Sequence, residues 1–97
     1  MALIKEYFEL TSRYQEEYGE NTILLMQVGS FFEVYGVSNP KTEEIYKSKI
    51  VDFSQICELN IVSKNSRFET NNVVMAGFKD IQIEKYIKTQ IFFIGKC

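Results

Sequence analysis

The chain has 97 residues, of which 45% are apolar and 14% aromatic, and its net charge is −2. This length and apolar content predict one small globular domain and exclude a disordered tail. No apolar run is long enough for a membrane helix, and the first residues lack the pattern of a secretory signal, so we expect an intracellular protein. Lysine outnumbers arginine nine to two, a bias typical of AT-rich genomes, viral or organellar ones among them, and the compartment stays open.

The composition also bears on metal and thiol chemistry. The chain has two cysteines and no histidine, and the cysteines do not form a CxxC pair. A zinc site and a Cys–His catalytic pair are therefore not expected. Cys57 falls on the apolar stripe of a predicted helix, which favours a place in the core.

The first third of the chain predicts a helix followed by a hairpin. Apolar residues spaced three and four apart predict a helix over residues 2–18, which Gly19 can end. Residues 22–28 are almost all apolar and predict a strand covered on both faces. Gly29-Ser30 predicts a turn into a second strand over 31–35, with the start of a helix there as the alternative.

The middle of the chain predicts a loop and a second helix. Residues 36–39 are assigned to the loop. Asn39 is a good capping residue, and proline at position 40 suits the first turn of a helix. Apolar residues then recur at helical spacing, so a helix is predicted from about Pro40 to Glu58.

The remainder predicts two strands, a helix and a last strand. The strands are expected over 59–63 and 73–75, joined by a polar hairpin loop over 64–72. Asp80 is the candidate cap of the third helix, and 91–94 is the last strand. This order of elements predicts an α/β (α+β) domain, in which a small mixed β-sheet is flanked by about three helices.

The most distinctive run is 28–36, with the sequence VGSFFEVYG. Residues i and i+2 of a strand point to the same face, so Phe31 and Glu33 are expected to project together while Phe32 points into the core. A rigid aromatic beside one carboxylate is suited to probing base pairs. The phenylalanine can enter the base stack from the minor groove, and the glutamate can hydrogen-bond a base edge.

Residues 26–35 follow the pattern of an apolar strand, then Gly-x-Phe-Tyr/Phe-Glu-hydrophobic-aromatic, and this resembles the N-terminal mismatch-recognition domain (domain I) of the MutS family of DNA mismatch repair proteins. Residues 3–10 resemble the opening helix of that domain. Residues 74–78 are similar to its Pro-Met-Ala-Gly-hydrophobic stretch, and 86–87 match a usual Tyr-Leu pair. The resemblance covers nearly the whole chain and implies that residues 1–97 are the first domain of a much longer protein.

The resemblance implies roles for two residues and a set of partners. Phe31 would be the exposed wedge, and Glu33 would hydrogen-bond one base of the mispair. The partners would be double-stranded DNA with mismatches or small loops, and the clamp and ATPase domains of a dimeric full-length protein. ATP and magnesium would bind in that remainder, since this chain has no GxxxxGK(S/T) motif. We therefore expect the chain itself to be no enzyme and to hold no cofactor or metal.

Three departures from the family pattern stand out. Ser30 occupies a position where aspartate is common, and Lys79 one where proline is usual. Residues 90–97 compress the turn and last strand of the family, so we expect the domain to be truncated or altered at its C-terminal end.

The net charge of −2 is unfavourable for DNA binding, because basic contacts to phosphates supply most non-specific affinity. Lys64, Arg67 and Lys79 are the candidates for such contacts. In a MutS-like protein other domains would hold the backbone, and this one would supply discrimination.

Two other functions remain open. The first is a protein-interaction module that kept the fold but not mismatch recognition, with Phe31, Phe32 and Tyr35 as an exposed hot spot. The second is a metal-dependent nuclease, which the scattered carboxylates disfavour.

Overall fold

A computed structural model describes residues 2–87 and 92–96 of the chain. The elements in chain order are α1 (Ala2–Tyr18), β1 (Ile23–Val28), β2 (Phe31–Ser38), β3 (Ile45–Tyr46), α2 (Ile50–Cys57), β4 (Val62–Phe68), β5 (Asn71–Lys79), a 3₁₀ turn (Asp80–Gln82), α3 (Ile83–Ile87) and β6 (Phe92–Lys96). The predicted fold class is confirmed, since the described residues form a mixed β-sheet with three α-helices.

The strands form one sheet with β2 near its centre. The order is β4-β5-β2-β1-β6, and the short β3 pairs with the C-terminal end of β2. The β1–β2, β2–β5 and β4–β5 pairs are antiparallel, while β1 and β6 run parallel. Strand β2, which holds residues 31–36 of the distinctive run, therefore lies between β1 and β5 rather than at a sheet edge.

Helices cover both faces of the sheet. On one face α1 packs over alternate residues of β1 and β2, which form one core cluster: Ile4, Tyr7, Phe8, Leu24, Met26, Tyr35, Val37 and Val73. On the other face α2 and α3 contribute to the second: Ile23, Leu25, Phe32, Val34, Ile50, Phe53, Cys57, Ala76, Phe78 and Tyr86. Burial on both faces explains why β1 is almost wholly apolar. Within the described residues, no helix has both the length and the apolarity to cross a membrane.

The turn that precedes the motif is a tight hairpin. Val28 pairs with Phe31, so only Gly29 and Ser30 lie in the turn. Gly29 has a φ of +60°, a conformation that glycine adopts at little cost and that two-residue hairpin turns require. This turn fixes the register of β2 against β1. The alternative of a helix beginning at Phe31 is wrong.

The predicted helix over 40–58 is wrong in its first half, because α2 comprises only Ile50–Cys57. The Asn39 side chain does cap backbone groups, and its Oδ1 accepts the N–H of Lys41 at 2.8 Å. The chain then closes into a local turn, and Glu43 has a φ of +62°, which a helix cannot contain. The same capping chemistry thus serves a turn instead of a helix.

Two predicted loops are strand instead. Strand β2 continues through residues 36–38, and the polar segment 64–72 is a hairpin in which only Glu69 and Thr70 form the turn. Polar residues fit β4 because it is the outermost strand of the sheet order. The predicted last strand is found as β6, although Ile91 lies outside the described residues.

Candidate functional site

The face of β2 that packs under α1 becomes steadily more exposed toward the Gly29-Ser30 turn. Tyr35 is fully buried, Glu33 is 8% exposed and Phe31 is 44% exposed. These three residues alternate along the strand, so their side chains share one face. Phe32, on the opposite face, is 6% exposed. The helix therefore covers one end of this face and leaves Phe31 at the other.

A groove of about 350 Å³ lies beside Phe31 and Glu33, and we name it the β2 groove. Its lining residues come from β2, β4, β5 and the segment before β4: Phe31, Glu33, Asn60, Val62, Met75, Ala76 and Gly77. Val62 is 51% exposed, so an aliphatic side chain and the Phe31 ring flank the groove. Its walls are mainly apolar, and Glu33 supplies the carboxylate.

Glu33 is held by two donors within the fold. The Tyr35 hydroxyl donates to its Oε1, and Lys64 Nζ lies 3.3 Å from the same oxygen. The ammonium group also lies 5.5 Å from the centroid of the Tyr35 ring, within range of a cation–π interaction. The sequence predicts a carboxylate offered to a base, and the structure adds that this carboxylate is already part of an ion pair.

Gly77 makes room for this arrangement. It pairs with Glu33 across β2 and β5. A Cβ at position 77 would lie 2.6 Å from the Phe32 carbonyl oxygen and 3.3 Å from Glu33 Cγ. The glycine of the Met-Ala-Gly stretch thus allows Glu33 to lie flat against β5, and the signal for such close approach is the Ala76-Gly77 pair.

The three basic candidates lie in different places. Lys79 is exposed and pairs across the sheet with Phe31. Lys64 is bonded to Glu33, which lines the β2 groove. Arg67 is exposed and pairs with Asn72, which in turn pairs with Ser38 at the C-terminal end of β2. The structure therefore brings Lys79 beside Phe31 and Lys64 to Glu33, and contacts of the three basic residues with phosphates stay a prediction.

The pairing of β4 with β5 is irregular beside Lys64. The register of β4 against β5 shifts between Ser63, opposite Val74, and Arg67, opposite Asn72. Four steps along β4 therefore match two along β5, so the pairing is irregular over residues 64–66. Val62, two residues before Lys64, pairs with Met75, which pairs with Tyr35. Alternation along β4 therefore places Lys64 on the face of the sheet that carries Tyr35 and Glu33. Because residues 64–72 were predicted to be a loop, neither the irregular pairing nor the Lys64–Glu33 pair was predicted.

The proposed protein hot spot is wrong in its composition. Of Phe31, Phe32 and Tyr35, only Phe31 is exposed, and Tyr35 is fully buried. Tyr35 packs edge-on against Tyr7 of α1, with ring centroids 4.9 Å apart. A protein partner would meet one aromatic ring here rather than three.

Among the described residues, no group of three or more His, Cys, Asp or Glu side chains could hold a metal ion. The residues with polar side chains that line the β2 groove are Glu33 and Asn60, and Lys64 forms an ion pair with Glu33. Such a pair can accept a hydrogen bond and donate another to the same ligand.

Comparison with known proteins gives no match, either to models of protein families or among curated proteins. A function must therefore be argued from the geometry of the β2 groove and from the resemblance of residues 26–35.

Proposed function

We propose that this chain is the mismatched-DNA recognition domain of a MutS-like DNA mismatch repair protein. Phe31 inserts at a mispair from the minor groove, and Glu33 hydrogen-bonds one of its bases. The observation that carries the proposal is the placement of these residues. Phe31 is 44% exposed on the same face as Glu33, while its neighbour Phe32 is 6% exposed.

The discrimination rests on the cost of deforming DNA. Insertion of an aromatic side chain unstacks a base step and kinks the duplex, which costs a few kcal/mol. A mispaired or looped site has already lost part of its pairing and stacking, so the same kink costs less there. A half-exposed ring on a strand fixed by neighbours on both sides is suited to this role, because it need not be ordered on binding.

Glu33 adds a hydrogen bond that depends on the base. A paired base has its Watson–Crick N–H engaged, whereas a displaced base can offer that N–H to an acceptor. The carboxylate accepts such a donor but repels phosphates. It therefore favours DNA in which a base is displaced toward it.

Affinity comes from elsewhere in this proposal. The chain has a net charge of −2, so it holds the DNA backbone weakly on its own. Lys79, the cross-strand neighbour of Phe31, and Arg67 are candidates for phosphate contacts. The clamp and ATPase domains of a dimeric full-length protein would hold the duplex, bind ATP and magnesium, and leave discrimination to this domain.

The test is an NMR titration of the ¹⁵N-labelled chain, which detects weak binding. One duplex carries a G·T mispair, and a second is fully matched. We expect the amide signals of Phe31, Glu33 and Gly77 to shift with the mispaired duplex and to shift less with the matched one. Equal shifts with both duplexes, or no shift with either, would contradict the proposal.

A protein-interaction module is the second candidate. The exposed Phe31 and Val62 side chains that flank the β2 groove favour it, as does the negative charge. In this case the chain would bind neither duplex. The same titration therefore separates the two functions.

A further inference from the structure

Lys64 and Glu33 form a closely held ion pair, and Glu33 lines the β2 groove. Lys64 Nζ lies 3.3 Å from Glu33 Oε1, and the side chains are 27% and 11% exposed, respectively. The Tyr35 hydroxyl donates to the same oxygen, and its ring lies 5.5 Å from the ammonium group. Neither charge is therefore in bulk water, and each reduces the cost of burying the other.

The backbone also places Lys64 at this position. Val62 pairs with Met75, and Met75 pairs with Tyr35, so these residues share one face of the sheet. Lys64 follows Val62 by two residues, and strand alternation therefore directs its side chain to this face, where Glu33 also lies. This register is an observation independent of the ion pair itself.

A lone carboxylate beside DNA is unfavourable because the phosphates repel it. We propose that Lys64 is a positioning residue that neutralises Glu33 and so removes the repulsion between this carboxylate and the DNA phosphates. The two residues then act as one neutral pair. The pair recognises an unpaired base edge that presents an N–H donor beside a hydrogen-bond acceptor. This inference rests on the proposed function and assigns Lys64 a role other than contact with a phosphate.

The two roles of Lys64 predict different results when Glu33 is also changed. A phosphate contact contributes to binding of every duplex, whatever occupies position 33. A partner of Glu33 matters only while the carboxylate is present. Removing Lys64 alone then leaves an unpaired charge, whereas removing both residues restores the original net charge of the chain.

The experiment compares four variants with the wild type: Lys64→Gln, Lys64→Arg, Glu33→Gln/Lys64→Gln and Arg67→Gln. Arg67→Gln is the matched control, because it removes one positive charge from the same strand, away from Glu33. Dissociation constants are measured by NMR titration with three duplexes at one salt concentration. One duplex is matched, one carries a G·T mispair, and one carries an abasic site, which bends easily but has no base edge.

The wild type is expected to bind the G·T duplex more tightly than the abasic one. Lys64→Gln should reduce this preference about fivefold or more, since a good base-edge contact contributes about that much, while Lys64→Arg should retain it. The double variant should also lack the preference, yet bind the matched duplex as tightly as the wild type and more tightly than Lys64→Gln. Arg67→Gln should weaken all three duplexes by one common factor.

Equal weakening of the three duplexes by Lys64→Gln, without recovery in the double variant, would overturn the inference and make Lys64 a phosphate contact. The proposed function would survive that result. A wild type that does not distinguish the G·T duplex from the matched one would instead overturn the proposed function, and the inference with it. A thermal melt of each variant confirms that it is folded before binding is measured.

Discussion

Phe31 and Phe32 are adjacent in β2, and the fold gives them opposite environments. Phe32 is 6% exposed and packs against Phe78, with ring centroids 5.8 Å apart. Phe31 is 44% exposed, and its cross-strand neighbours are Val28 and Lys79. The difference arises because a strand sends successive side chains to opposite faces, and the helices cover only one of the two faces at this end. Two residues of the same type can thus be separated into one that stabilises the fold and one that is free to contact a ligand.

The largest difference in stability should come from truncating the Phe32 and Phe31 rings in turn. Phe32→Ala leaves a cavity in the core and should lower the free energy of unfolding by about 3–5 kcal/mol. Phe31→Ala removes a half-exposed ring and should cost less than about 1 kcal/mol. Urea unfolding of both variants measures the difference. Similar losses in the two variants would show that Phe31 belongs to the core.

A methyl group at position 77 of β5 should disturb the packing of β5 against β2 beside Glu33. In Gly77→Ala the new Cβ meets the Phe32 carbonyl oxygen at 2.6 Å and Glu33 Cγ at 3.3 Å, and such overpacking costs about 1–3 kcal/mol. Thermal or urea unfolding gives the loss. Adding Glu33→Ala should recover only part of it, because the clash with the backbone oxygen remains. Full recovery, or no loss at all, would contradict this geometry.

The stability of the fold should be sensitive to alkaline pH because of the buried tyrosine next to Tyr35. Tyr7 is fully buried under Tyr35, its hydroxyl donates to the Leu24 carbonyl at 2.7 Å, and burial raises the pKa of the Tyr7 phenol well above its usual value. The folded state therefore keeps a proton that the unfolded chain loses. Stability should be complete below the unfolded pKa of about 10 and then fall by about 1.4 kcal/mol per pH unit.

The Tyr7→Phe variant is the control for this titration. It loses one hydrogen bond, which costs about 1 kcal/mol at neutral pH. Its stability should then fall less steeply than that of the wild type above pH 10, as urea unfolding at several pH values will measure. Equal slopes in the two proteins would show that the pKa of Tyr7 does not differ between the folded and unfolded states.

The smallest change in stability is expected from substitutions in the turns of the two hairpins. The β1–β2 turn beside Phe31 begins with Gly29 at a φ of +60°, whereas the β4–β5 turn begins with Glu69 at a φ of +58°. A non-glycine residue is strained in this region. Glu69→Gly should therefore stabilise the fold by about 0.5 kcal/mol, while Thr70→Gly should not. A shift of the thermal midpoint measures both, and destabilisation by Glu69→Gly would contradict this strain.

Local patterns predicted much of the fold. The spacing of apolar residues gave α1, the continuous apolar run gave β1, and Gly29-Ser30 gave the tight turn. Strand alternation placed Phe31 and Glu33 on one face and Phe32 on the other. Each of these depends on neighbours within a few residues in the chain, which is why composition and periodicity were sufficient.

The features that sequence analysis missed depend on distant contacts. Lys64 bonds to Glu33 across 31 residues of chain, and the strand that carries Lys64 forms only when β4 pairs with β5. Asn39 caps a turn rather than a helix because the following residues pair with β2. In each case a tertiary contact decided between two local structures that the same residues favour almost equally.

The central claim is that Phe31 enters the base stack at a mispair. The most direct measurement uses 2-aminopurine, a base analogue whose fluorescence rises when it is unstacked, placed beside a G·T mispair. The wild-type chain should raise the fluorescence, and so should Tyr18→Ala, which removes an aromatic residue of similar exposure at the end of α1. Phe31→Ala should leave it unchanged. Equal increases with Phe31→Ala and the wild type, or no increase with any protein, would contradict the account.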